Sequence, residues 1–390
     1  MSCNEWKDVK LVEIANFKNG KAIKQSLRKE DGANIIYGSN GIIGKTDEVL
    51  VNEMCLIIGR VGAYCGSVQI SYKPSWVTDN AIICTNKEST NLKYLYYFLS
   101  KFPLRDFAGG SAQPLINQSI LNDLEIRIPP LEEQVKIANI LSSLDDKIEL
   151  NNEMNKTLEE MAQSIFKRWF VDFEFPNEDG EPYKSSGGEM VDSELGMIPK
   201  GWEVKCIYDL AEYINGTSFK AKDYSEKGLP IIKIAELKNG ITDGTKFFSG
   251  EKDKKFYLKN GDILFSWSGN PDTSIDTFIW DKGDAILNQH IFKVIPKFDK
   301  GYAFTYLMLK YLKSTFTHIA RNKQTTGLGH VTVKDLKELK IALCFSKIKE
   351  FNEVAEPMVD LIFENNMSIE QLNKIRDSLL PKLMSGEIKV

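Results

Sequence analysis

Six stretches of the chain concentrate side chains that hydrogen-bond. GSNGIIGKT (38–46), GRVGAYCG (59–66) and GGSAQP (109–114) lie in the first third; FKAKDYSEKG (219–228), SWSGNPDTS (266–274) and ARNKQTTGLGH (320–330) lie in the second half. Their chemistry is recognition rather than bond-making. Short amides and hydroxyls on Gly-rich turns approach base edges closely, and Lys and Arg meet phosphates. The candidate contacts are Ser39, Asn40, Lys45, Arg60, Tyr64, Ser111 and Gln113 in the first set. In the second set they are Lys220, Lys222, Ser266, Ser268, Asn270, Arg321, Lys323, Gln324 and Thr325. The same residue types fill plain turns, so no single one carries the reading. Trp267 is read as core filling rather than as a ring stacked on a base.

Bond-making signatures were tested against the same sequence. GSNGIIGKT resembles a phosphate-binding loop, but five residues separate Gly38 from Gly44-Lys45-Thr46 where the motif has four. The residues that follow, TDEVLVNEMCLIIG, read as a strand and not as the required helix. Glu236-Leu237-Lys238 and Glu387-Ile388-Lys389 match the short half of a carboxylate-plus-Lys nuclease site, as tripeptides in a Lys-rich chain do by chance. There is no Asn-Pro-Pro-aromatic methyltransferase site and no Gly-rich cofactor loop after a strand. Three His (290, 318, 330) and six Cys (3, 55, 65, 84, 206, 344) show no ligand spacing and no CxxC pair. The expectation is a chain with no catalytic residue, no metal and no cofactor, its thiols buried and reduced.

What positions the turns is a pair of long helices. LEEQVKIANILSSLDDKIELNNEMNKTLEEMAQSIFKRW (131–169) holds no Pro or Gly, and Pro129-Pro130 and Pro176 bracket it. Steps of four and three pick out Ile137, Leu141, Leu144, Ile148, Asn151, Asn155, Leu158, Ala162, Ile165 and Trp169, an apolar stripe broken by two Asn. From Phe351 the same steps give Ala355, Met358, Ile362, Asn365, Ile369, Leu372, Arg376, Leu379 and Leu383, matching the first stripe at an offset of 214. The two stripes should pair in an intramolecular coiled coil whose direction the pattern leaves open. Pro357 is expected to kink or restart the second helix and Pro381 to trim it. Replacing Asn151 and Asn155 by Leu is expected to raise stability while loosening register.

The repeat extends into the blocks between the helices. Trp6, Leu11, Ile14, Ala15, Phe17, Asn19 and Gly20 recur at an offset of 196 as Trp202, Ile207, Leu210, Ala211, Tyr213, Asn215 and Gly216. Ile116, Leu121, Leu124, Ile126 and Ile128 recur at 215 as Val331, Leu336, Leu339, Ile341 and Leu343. The interiors diverge, as two recognition surfaces on one scaffold would. Expected boundaries are a first block 1–128, a central helix 129–175, an acidic linker 176–198, a second block 199–343 and a C-terminal helix 344–390. The blocks carry net charges of +2 and +6, the helices −5 and −2, and the linker −5. Basic globules on an acidic scaffold favour a polyanionic partner. With no apolar run of about 18 residues and a charged N-terminus, the expected location is the cytoplasm, away from membranes.

PPLEEQVKIANILSSLDDKIELNN, EMAQSIFKRWFVDF and YKSSGGEMVDSELGMIPKGWEV resemble the central region of type I restriction–modification specificity subunits. GDILFSWSG, NQHIFKV and IYGSNGIIG resemble pieces of their target-recognition domains, so the likeness spans nearly the whole chain. The resemblance implies an α+β architecture with a pseudo-two-fold internal repeat. Two α/β target-recognition domains are separated by two long helices packed as an antiparallel intramolecular coiled coil. It further implies that each domain reads half of a split double-stranded DNA target. The helices would dock two methyltransferase (modification) subunits, and a translocase–nuclease (restriction) subunit would join for cleavage. The competing expectation is a coiled-coil adaptor that binds proteins without sequence-specific DNA binding; a fused methyltransferase or nuclease lacks its motifs.

Overall fold

The computed structural model describes residues 6–109, 114–324 and 327–390. They form two compact units, Met1–Lys147 with Leu372–Val390, and Ile148–Gln371.

In unit 1, strand Lys7–Lys10 pairs antiparallel with Glu125–Ile128, so the globule closes on its own ends. One helical turn, Leu11–Ile14, leads into an antiparallel sheet of four strands ordered Ala15–Asn19, Ala81–Asn86, Cys55–Gly59 and Val68–Ser71. The central strand, CLIIG, is apolar throughout because both its faces are covered. Leu56 and Ile58 enter the main core with Ile137 and Leu141. Cys55 and Ile57 point the other way, into a smaller cluster with Val77. A second sheet, Gly41–Thr46, Asn34–Gly38 and Ser75–Val77, holds one parallel pair. Gly41–Thr46 being a strand, the GKT segment has none of the helix that a phosphate loop requires.

Unit 2 repeats this plan. Glu203–Cys206 pairs with Lys340–Leu343, the turn Ile207–Leu210 follows, and the four-stranded sheet runs Ala211–Asn215, Ile291–Pro296, Ile263–Ser266 and Asp276–Ile279. Its second sheet again holds one parallel pair, Leu229–Ile232 with Ala285–Leu287. PIIKIAEL is strand-like only to Ile232; Ile234–Asn239 is a helix, because Glu236 takes the amide of Lys233 at 3.0 Å and caps it. That cap, with a bond from Thr245 Oγ1 at 3.2 Å, commits the Glu236 carboxylate to structure. Residues 176–201 fold within this unit, with Met190–Ser193 and Gly196–Pro199 forming a hairpin and Phe175 stacking on Tyr183 and Trp202.

The long helices are Leu131–Phe170 and Phe345–Met384. In unit 1 Arg376 Nη1 donates to Asp145 Oδ1 at 2.8 Å, and Leu380 and Leu383 share a core with Ile137 and Leu141. In unit 2 Asn155 meets Asn365 and Asn366, while Phe351 meets Phe166 and Trp169. In each unit the helices therefore run antiparallel. Ile137 and Leu141 are fully buried and Ile362 and Asn365 nearly so; Leu144, Ile148, Asn155, Leu158, Ile165, Met358, Ile369, Leu372 and Leu379 are half-buried. The second helix runs unbroken through Pro357 and Pro381 to Met384, so Pro357 does not restart it. Both Pro are exposed, as are Glu353 and Asp377, the residues whose carbonyls lose a helical donor to them.

The central Asn residues differ. Asn155 Nδ2 donates to Asn366 Oδ1 at 2.8 Å and its Oδ1 accepts from Asn365 Nδ2 at 2.9 Å, a bridge between helices. Asn151, 1% exposed, has no partner on either amide atom among the described residues. Asn151→Leu should therefore raise the melting temperature, by about 1–3 kcal/mol of relieved burial. Asn155→Leu should lower it, because buried Asn365 and half-buried Asn366 both lose their bonds. Shifts of one sign in both variants would contradict this division.

Candidate nucleic-acid interface

In unit 1 three turns expected to carry contacts come together at the end of the central strand. Ser67 Oγ donates to Ser39 O at 2.8 Å, Ser67 N to Tyr64 O at 3.0 Å, and Gly62 N to Pro114 O at 3.3 Å. Gly59 joins them without a side chain, since a Cβ there would lie 2.2 Å from Tyr64 O. Arg60 N donates to Asn80 O at 2.9 Å, and Ile116 N donates to Arg60 O at 3.0 Å. The guanidinium is held by one backbone contact, Nη1 to Asp79 O at 3.3 Å, and pairs with no carboxylate among the described residues. Tyr64 is 56% exposed beside it, and Asn40 and Lys45 are exposed on the neighbouring hairpin.

In unit 2 the turns 266–274 and 320–330 are joined by a short strand pair, Ser268 with His330 and Gly269 with Gly329. Trp267 N donates to His290 O at 3.4 Å, and Val331 N donates to Trp267 O at 2.8 Å. The half-buried indole lies against Phe292, His290 and His330, and its Nε1 donates to Asn215 Oδ1 at 3.0 Å. Burial, and the neighbouring His330, hold His290 below the ordinary imidazole value. The third turn behaves separately: Lys220 and Lys222 are exposed about a short turn at Ala221–Asp223, and Phe219 packs on Phe248.

The family model described as type I restriction modification DNA specificity domain matches residues 4–160 and again 199–348. The chain belongs to this family. It is 28% identical to the MjaIX specificity subunit of Methanocaldococcus jannaschii over 99% of this chain and 94% of that one. It is also 28% identical to the HindI specificity subunit of Haemophilus influenzae, over 70% and 71%. The fold is similar to the crystal structure of a type I restriction–modification S subunit from M. genitalium, at a TM-score of 0.66 and 17% identity, covering 97% and 96%.

Several specificity-domain candidates hold other posts in the fold. Ser266 is 0% exposed on the central strand and Ser268 is 5% exposed with its Oγ on His330 Nδ1 at 2.9 Å, so neither reaches an interface. Their polar character suggested contact, but strand alternation and pairing turn them inward. Asn270 Oδ1 caps the turn Pro271–Ser274 through the amides of Asp272 and Thr273. Arg321 is paired with Asp272 and Lys323 with Asp335, so these cations are already neutralised by the chain itself. Burial pulls the Asp335 carboxyl up, but Lys323 and Thr332 outweigh it and leave it below the usual range. Gln324 is exposed; Ser111, Gln113 and Thr325 lie outside the described residues.

The specificity-domain sequence hid other groups. His290, His330 and Gln289 carry no contact signal in the sequence, and Asn215 shows there only as the repeat of Asn19. Among the described residues no His, Cys, Asp and Glu cluster could hold a metal ion, and no helix is long and apolar enough to cross a membrane. Cys55, Cys65 and Cys84 are buried free thiols, whereas Cys206 and Cys344 are half-exposed. No single offset exposes this group: Arg60 and Trp267 stand 207 apart and Asn80 and His290 210 apart, whereas Ile116 and Val331 stand 215 apart, so only the strand pairing aligns the exits.

Proposed function

We propose that this chain is the DNA-specificity subunit of a type I restriction–modification complex. Each of its two repeated domains reads one half of a bipartite target, and its antiparallel helices dock the modification subunits that carry the chemistry. The observation that carries the reading is one sheet plan built twice, with different side chains at the same edge. One domain reads only a few base pairs, so joining two readers in one chain adds their discrimination. Two modification subunits fit a scaffold with an internal two-fold repeat, and a restriction subunit would join the assembled complex. The chain itself performs no bond-making step. Exposed Lys45, Lys220 and Lys222 supply phosphate contacts, so binding should weaken steeply with salt.

The test is an exchange of residues 1–128 for the corresponding block of a related subunit, assayed by mapping methylated sites in the reconstituted complex, with the chain alone as the inactive blank. One half of the target should change and the other persist. Change in both halves, or sequence-independent behaviour like that of a protein adaptor, would refute the proposal.

A further inference from the structure

We infer that Arg60 and Trp267 are structurally equivalent specificity-determining residues, Arg60 reading a guanine in one half-site and Trp267 reading the other half-site through an aromatic–imidazole surface. This rests on the DNA-specificity reading above and adds to it the positions and the chemistry.

The equivalence comes from backbone bonding. Both residues directly follow or lie one step beyond the central strand, Arg60 after Cys55–Gly59 and Trp267 after Ile263–Ser266. Each amide donates to the carbonyl of the turn that opens the neighbouring strand, Asn80 O at 2.9 Å and His290 O at 3.4 Å. Each carbonyl accepts from the residue that the repeat aligns, Ile116 N at 3.0 Å and Val331 N at 2.8 Å. Around them Asp79-Asn80 corresponds to Gln289-His290, and Asn19 to Asn215. A shared main-chain frame therefore presents two unlike side chains at one point of the sheet edge.

The chemistry of each follows from its partners. Arg321 is spent on Asp272, but among the described residues the Arg60 guanidinium has only the Asp79 carbonyl, on Nη1; its Nε is buried without a partner, which leaves the other donors of the two Nη groups for a ligand. A planar fork with free donors matches the O6 and N7 acceptors of guanine in the major groove. Trp267 has its Nε1 satisfied by Asn215, which leaves the ring as its contact surface, bordered by His290 and His330. Such a surface selects by apolar contact, as with a thymine methyl, with Gln289 exposed at its margin to bond a base edge.

The experiment uses the complex reconstituted with its modification subunits and a DNA library randomised in each half-site. Arg60→Gln and Arg60→Ala should each lower discrimination for one guanine by about fivefold or more, in one half-site only. Trp267→Ala and Trp267→Phe should relax the opposite half-site, Phe less than Ala. Melting curves show whether each variant remains folded, and Arg60→Gln and Trp267→Phe preserve bulk should the Ala variants unfold. Unchanged preferences in Arg60→Gln, or relaxation of both half-sites by one substitution, would overturn the inference. If the unsubstituted complex shows no bipartite preference, the parent reading fails instead, and the two failures are thus distinct.

Discussion

Phe166→Ala should remove about 3–5 kcal/mol from unit 2, measured as a fall in the urea midpoint with little change in slope. Phe166 is fully buried at the end of the first long helix. Its ring lies 5.2 Å from Phe170, 5.6 Å from Phe304, 5.5 Å from Tyr311 and 6.0 Å from Phe351, so one side chain ties both long helices to the globular core. Truncation opens a cavity that four neighbouring rings, each held by further contacts, close poorly. Phe166→Leu keeps much of the volume and should lose under half as much. A loss below about 1 kcal/mol in the Ala variant would mean that the aromatic cluster collapses freely and is not a rigid joint.

Gly216→Ala should be still more damaging for its size, and local in its consequence. A Cβ at Gly216 would lie 2.1 Å from Asn288 O and 2.7 Å from Leu287 O, backbone atoms that cannot rotate aside. Gly20 faces the same obstruction, 2.2 Å from Thr78 O and 2.4 Å from Val77 O. In both units the first strand of the sheet leaves across the carbonyls that precede the turn holding Asn80 or His290. A methyl must push that turn, which carries His290 in one unit and Asn80 in the other. Gly216→Ala should cost about 1–3 kcal/mol, opposite in sign to the gain of about 0.4–1 kcal/mol that the change brings where the backbone accepts it, and should disturb methylation specificity in one half of the target. Gly20→Ala should disturb the other. Wild-type specificity in both variants would show that the strand ends shift without moving the turns.

The sequence carried the architecture well because period and repetition are local signals. The apolar stripe from Ile137 to Trp169 and its copy from Phe351 to Leu383 specify helices whatever they pack against. The paired offsets at Gly20 and Gly216 mark a shared backbone constraint. Direction was not legible, since an apolar stripe pairs either way; Arg376 on Asp145 and Asn155 on Asn365 and Asn366 record it. Pro357 misled because its cost depends on which face it occupies. The contact candidates were the least legible. A Ser in SWSG looks like a loop donor until pairing buries it, and Arg321 looks free until Asp272, distant in sequence, is placed beside it. Polar residue types announce hydrogen bonding, and only the fold says with whom.

Unit 1 is assembled from residues on both sides of unit 2 in the sequence. Its core needs Leu380 and Leu383, and Arg376 completes Asp145. During synthesis at about 5–20 residues per second, roughly 10–50 s separate residue 147 from the arrival of that closing segment. Ile148–Gln371, contiguous in the chain, can finish first. The first reader to leave the ribosome is therefore the last to be sealed. In that interval Ile137 and Leu141 have the globule's own side chains on them but still lack Leu380 and Leu383, and Asp145 still lacks Arg376.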